Sequence, residues 1–94
     1  MRFEFDPKKN RANRKKHGLS LGFAAELDWD QMVLQVQHHE GEERWLGLAP
    51  SGEHLYAIAF TMDDATDEET IRPISLRRAS NQEKDDYVNQ KASS

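Results

Sequence analysis

His54-Leu55-Tyr56-Ala57-Ile58-Ala59-Phe60-Thr61 decides the fold. Leu55, Ala57 and Ala59 alternate with Tyr56, Ile58 and Phe60, so a strand here is apolar on both faces. Such a strand needs cover on both sides, which predicts a central place in a sheet. Before it, Pro50-Ser51-Gly52-Glu53 is a turn signal. Glu43–Ala49 reads as the preceding strand, His39–Glu42 as another turn, and Met32–His38 as the strand before that. After it, Asp63, Asp64, Asp67, Glu68 and Glu69 crowd a polar loop, and Ile71–Arg77 reads as the last strand. Pro73 inside that strand has no N–H, so it is expected at an unpaired edge or a bulge. Consecutive strands with short connections predict an antiparallel meander.

The flanks supply the remaining elements. Arg2–Phe5 reads as a short strand with Phe3 and Phe5 on one face. Asp6-Pro7 is a helix start, because Asp can cap free N–H groups and Pro suits the first helical position. That helix runs to His17 and ends at Gly18, which takes the left-handed conformation cheaply. It has almost no apolar stripe, so it is expected to be mostly exposed or covered by a partner. Ser20 is the expected cap of a second helix through about Leu27, with Phe23 and Leu27 one turn apart. Ser80 and Glu83 form a capping box for a terminal helix to about Asn89. The order β-α-α-β-β-β-β-α predicts an α+β fold: an antiparallel meander with two N-terminal helices and one C-terminal helix, packed on one face. Residues 1–90 are expected to form one domain and 91–94 a flexible tail.

Net charge hides the layout. Residues 1–17 carry seven basic and two acidic side chains, a local +5, whereas the rest carries six and fifteen, a local −9. Nucleic-acid binding depends on a local basic face and not on the total of −4. The chain has no cysteine, which excludes disulfides and thiolate metal sites and fits a cytoplasmic location. No apolar run approaches the roughly 20 residues of a membrane span, so no membrane role is expected. His38, His39 and His54 lack the i, i+4 spacing and carboxylate company of a metal site, so neither metal nor cofactor is expected.

Phe3-Glu4-Phe5-Asp6-Pro7, Asn13, Lys16-His17-Gly18-Leu19-Ser20, Glu43-Arg44, Gly47, Thr61, Ile71-Arg72, Ile74-Ser75, Arg77-Arg78-Ala79, Glu83 and Tyr87 occur in an order that resembles the BrnT family. These are the toxin halves of bacterial type II toxin–antitoxin pairs. The resemblance covers roughly residues 2–88. It implies a RelE-like fold, RNA cleavage, and neutralisation by a BrnA-like antitoxin, with DNA reached only through that antitoxin. The chain departs from the family pattern at three places. Phe5 stands where Trp is usual, Asp63 where an arginine often follows Thr61, and Pro73 where an aliphatic residue is usual.

Metal-free RNA cleavage needs a base for the 2′-hydroxyl, cations for the phosphate and an acid for the leaving oxygen. A guanidinium suits the second role, because its planar fork binds two phosphate oxygens. Candidate catalytic residues are Lys16, His17, Arg44, Arg72 and Arg77, and candidate RNA-binding residues are Arg14, Lys15, Ser75 and Arg78. On a regular strand Arg72 and Arg77 point to opposite faces, so they share a site only if a bulge at Pro73 rotates the chain. Each candidate has a plainer reading. Arg77 and Arg72 can pair with the acidic loop or the terminal helix, His17 can cap its helix, and Arg44 can pair with Glu42 or Glu43. An alternative function follows from the departures: a catalytically inactive interaction module of the same fold, acting only in complex with an antitoxin.

Overall fold

The computed structural model describes residues 1–39, 42–63 and 69–93. Its strands are β1 (Arg2–Phe3), β2 (Val33–His39), β3 (Glu42–Ser51), β4 (His54–Asp63) and β5 (Thr70–Arg78), and its α-helices are α1 (Pro7–His17) and α2 (Asn81–Ser93). They form an α+β fold around one five-stranded sheet in the order β1-β5-β4-β3-β2. The doubly apolar strand β4 is the middle one, as its composition predicts. The turn between β2 and β3 and most of the acidic loop lie outside the described residues, as do the side chains of His38 and His39.

The expected antiparallel meander holds only for β2 to β5. β1 pairs in parallel with β5, Arg2 beside Thr70 and Phe3 beside Ile71, so the sheet is mixed. Two residues carry no signal of pairing direction, and their partner lies at the far end of the sequence. The turn between β3 and β4 is shorter than expected, with Gly52 at φ 58° and Ser51 paired directly with His54.

The second N-terminal helix is also corrected. Ser20 does cap it, its Oγ accepting from the Gly22 amide at 3.1 Å, but Leu21–Glu26 is 3₁₀-helical. A second 3₁₀ turn follows at Trp29–Gln31. In a 3₁₀ helix every third side chain eclipses. Leu21, Ala24 and Leu27 therefore point the same way, and all three are buried. They pack on Ala49, Tyr56, Ile58, Phe60, Ile71 and Leu76 from the sheet. Trp29 joins this layer between Phe3 and Phe60, with ring centroids 5.6 and 5.2 Å away, and its indole N–H donates to the Ala24 carbonyl at 2.8 Å.

The helices do not all share that face. Arg77 projects from the opposite one, and Glu83 of α2 holds it there. Leu48 and Ala57, on the same side as Arg77, are buried but stand outside the main core cluster. α2 spans from the end of β5 to the start of β2, where the Tyr87 hydroxyl donates to the Gln31 carbonyl at 2.7 Å. It continues to Ser93, past the expected end at Asn89.

Helix α1 docks without an apolar stripe. Its termini are as read: Asp6 accepts from the Lys8 amide at 2.8 Å, and Gly18 sits at φ 73° with its amide on the Arg14 carbonyl. Its inner face is made of asparagines. Asn13, 5% exposed, donates to the carbonyls of Leu76 and Leu19 and accepts from the Leu76 amide. Asn10, one turn earlier, accepts from the Leu21 amide at 2.7 Å. Hydrogen bonds to main chain thus replace the apolar burial that usually holds a surface helix.

Candidate functional site

The bulge in β5 organises the site. Phe60 faces Pro73, whereas its neighbour Ala59 faces Ser75, so Ile74 is an extra residue without a partner on β4. Residues opposite each other in an antiparallel pair share a face. Arg72 lies opposite Thr61, Ser75 opposite Ala59 and Arg77 opposite Ala57. Those three β4 residues alternate with the buried Ile58 and Phe60, so Arg72, Ser75 and Arg77 all emerge on the side away from the core cluster. A regular strand could not do this. Pro73 causes no loss of pairing: β1 ends where the Glu4 amide meets the Ile71 carbonyl, and Pro73 turns its missing N–H beyond that end.

Two adjoining clefts lie between this face and α1. The larger, about 460 Å³, is lined by Glu4, Phe5, Asp6, Lys9, Arg44, Thr61, Arg72, Pro73 and Ile74. The smaller, about 220 Å³, is lined by Lys9, Ala12, Asn13, Lys16, His17, Ile74 and Ser75. Lys9 and Ile74 belong to both, so the two run together along α1. Three cations and two carboxylates line the larger cleft.

Five of the sequence candidates gather here: Arg44 and Arg72 in the larger cleft, Lys16, His17 and Ser75 in the smaller. Arg77 lines neither. Its two terminal nitrogens grip the Glu83 carboxylate at 2.6 and 3.0 Å. The Arg77 hydrogen bond holds the Glu83 carboxyl down to about 2, against the opposing effect of partial burial and with help from the Ser80 amide. The reciprocal hydrogen bond raises the Arg77 pKa. Glu83 meanwhile completes the capping box, accepting from the Ser80 amide at 2.9 Å while its own amide donates to Ser80 Oγ at 3.1 Å. Arg14, Lys15 and Arg78 are exposed and line neither cleft.

Arg72 is not idle. One of its nitrogens lies 3.4 Å from Glu4 and 3.5 Å from Asp63, the position where the family pattern often has arginine. Sequence reasoning missed Lys9 and Glu4. Lys9 is hidden in a run of basic residues, but helical spacing to Asn13 and then to Lys16 and His17 puts all of them on the inward side of α1. Glu4 reads as an ordinary strand residue until β1 is placed beside β5. Among the described residues no three His, Cys, Asp or Glu side chains stand close enough together to hold a metal ion. No helix of the structure is long and apolar enough to cross a membrane.

No individual curated protein matches the chain. Residues 5–83, most of its length and all of the cleft apart from Glu4, match the model of one family, described as the ribonuclease toxin, BrnT, of type II toxin–antitoxin systems. The chain belongs to the BrnT family of toxin–antitoxin ribonuclease toxins.

Proposed function

We propose that this protein cleaves RNA without a metal ion, using the paired clefts along α1, and that a cognate BrnA-like antitoxin blocks it. The observation that carries this reading is the meeting of Lys9, Arg44 and Arg72, from three separate elements, around one cleft of about 460 Å³. Cations from separate elements suit a phosphate whose charge grows in the transition state. Arg44 and Arg72 hold the phosphate in this scheme, and Lys16, His17 and Ser75 receive the adjoining nucleotide along the smaller cleft. Arg77 holds α2 in place and is a positioning residue. The scaffold is RelE-like, and the setting is the cytoplasm, where cleavage of mRNA slows growth.

The antitoxin covers the basic outer face of α1 in this reading. Lys8, Arg11, Arg14 and Lys15 are exposed there. The complex reaches DNA through the antitoxin and not through this chain.

The test is cleavage of a labelled single-stranded RNA by antitoxin-free protein in EDTA, with Arg44→Ala and Arg72→Ala alongside. Cleavage to cyclic-phosphate ends, lost in both variants, is the expected result. One observation favours the second reading, an inactive interaction module: Arg72 is shared between Glu4 and Asp63, which offsets its charge. No cleavage by the native protein on free RNA or on translating ribosomes, with antitoxin binding intact, would establish that alternative.

A further inference from the structure

We infer that Glu4 is the general base of the cleft, taking the proton from the attacking 2′-hydroxyl. This rests on the ribonuclease reading above and goes beyond it by assigning the proton transfer to one carboxylate.

The larger cleft contains few groups that can accept a proton. Its Lys9, Arg44 and Arg72 are cations at neutral pH. His17 lines the smaller cleft and not this one. Two carboxylates remain, Glu4 and Asp6. Asp6 is committed to capping α1 through its Oδ1. Glu4 is placed differently. Its amide is fixed to the Ile71 carbonyl at 3.0 Å, so its backbone is anchored to the sheet. Its Oε1 accepts from Arg2 at 2.7 Å, and its Oε2 faces Arg72 at 3.4 Å. That second contact is long for a hydrogen bond, and the side chain is 38% exposed, so Oε2 is open to a hydroxyl that enters beside it. A phosphate bound by Arg72 and Arg44 brings the neighbouring ribose within reach of this oxygen.

The step balances as follows. Glu4 Oε2 takes the proton of the 2′-hydroxyl as the 2′-oxygen forms its bond to phosphorus. The bond from phosphorus to the 5′-oxygen breaks, and that oxygen takes a proton from the Lys9 ammonium. The products are a 2′,3′-cyclic phosphate and a 5′-hydroxyl, and exchange with water restores both side chains. The charged groups around Glu4 are Arg2 on β1, Arg72 on β5, Asp6 and Lys9 on α1, and Arg44 on β3, with Asp63 of β4 acting on it through Arg72.

The experiment measures single-turnover cleavage of a labelled RNA from pH 4 to 9 by the native protein, E4Q and D6N, with binding of an RNA carrying a 2′-methoxy group at the cut site followed in parallel. Gln retains an oxygen for Arg2 and cannot take the proton. The expected result is a fall in cleavage rate of about a hundredfold or more in E4Q, loss of the acid limb of its pH profile, and retained RNA affinity. D6N keeps the limb, because Asn also caps a helix. If E4Q is slow but keeps the acid limb, Glu4 only positions Arg72 and the inference fails. If D6N loses the limb instead, the base is Asp6. If the native protein cleaves nothing, on free RNA or on translating ribosomes, the ribonuclease reading falls and the assignment falls with it, an outcome visible before any variant is compared.

Discussion

Asn13 holds both main-chain polar groups of Leu76, accepting from its amide at 3.0 Å and donating to its carbonyl at 2.8 Å. One side chain thus does the work of a neighbouring strand. β1 stops beside Ile71, and without Asn13 the edge of β5 beyond the bulge would be buried under α1 with nothing to bond. The same amide reaches the Leu19 carbonyl and ties down the chain after the helix. Asn13→Ala is expected to lower stability by about 2–3 kcal/mol, the cost of two orphaned buried groups. Urea unfolding checks this. Asn13→Asp, which keeps the acceptor but not the donor, is also expected to fall well below the native midpoint.

The Arg77–Glu83 pair has a pH signature. The folded-state value of Glu83 is lowered from 4.5 to about 2. A carboxylate depressed in this way adds stability that is present above its unfolded value and lost as pH falls toward the folded one. The contribution is about 1–2 kcal/mol, because Arg77 is 37% exposed and water screens the pair. Glu83→Gln should therefore be less stable than the native protein from pH 5.5 to 7, and the difference should shrink to nothing near pH 2. Denaturation midpoints measured across that range decide it.

Asp63 lies 3.5 Å from Arg72, where it would compete with a phosphate for that guanidinium. Asp63→Asn is expected to tighten binding of a single-stranded RNA about two- to fivefold, the scale of one exposed ion pair. Fluorescence anisotropy against salt concentration would show it, with a steeper salt dependence if a further phosphate contact is gained. Arg72→Ala should abolish the difference.

Gly47 is covered by the flexible side chain of Met32. A Cβ there would lie 2.5 Å from the sulfur of Met32. Gly47→Ala is expected to displace Met32 and cost about 1 kcal/mol or less, because a flexible side chain gives way and alanine suits a strand better than glycine. Adding Met32→Ala removes the clash, so the double variant should lose less than the two single losses combined. A double-mutant cycle by urea unfolding measures the coupling.

Much of this architecture is legible in the residues, wherever local chemistry leaves no choice. Asp6-Pro7 and Gly18 bound α1, Ser80 and Glu83 start α2, and two apolar faces put β4 at the centre. Pro73 points to an unpaired edge or a bulge, and the bulge lies at the next residue. Other features depend on distant partners or on a competing period. The parallel pairing of β1 is set by contacts with β5. Leu21, Ala24 and Leu27 repeat every three residues, yet the four-residue step from Phe23 to Leu27 invites an α-helix. In the site, Arg44, Arg72 and Lys16 are readable as cations and His17 as an imidazole at the end of α1, whereas the face taken by Arg72 depends on the bulge in β5. For Arg77 the plainer reading, an ion pair with the terminal helix, is the one present, and Glu83 combines that pair with its capping role.

The larger cleft takes Glu4 to Lys9 from one end of the polypeptide and Arg72 to Ile74 from the other. During synthesis the first segment leaves the ribosome long before the second exists. β1 then has no strand to join, and α1 has no Leu76 to grasp, so pairing between the two ends must wait for the slow closure of a long loop. A product that stops before Arg72 therefore carries no assembled cleft. In each copy the cleft comes together only after β5 has been made.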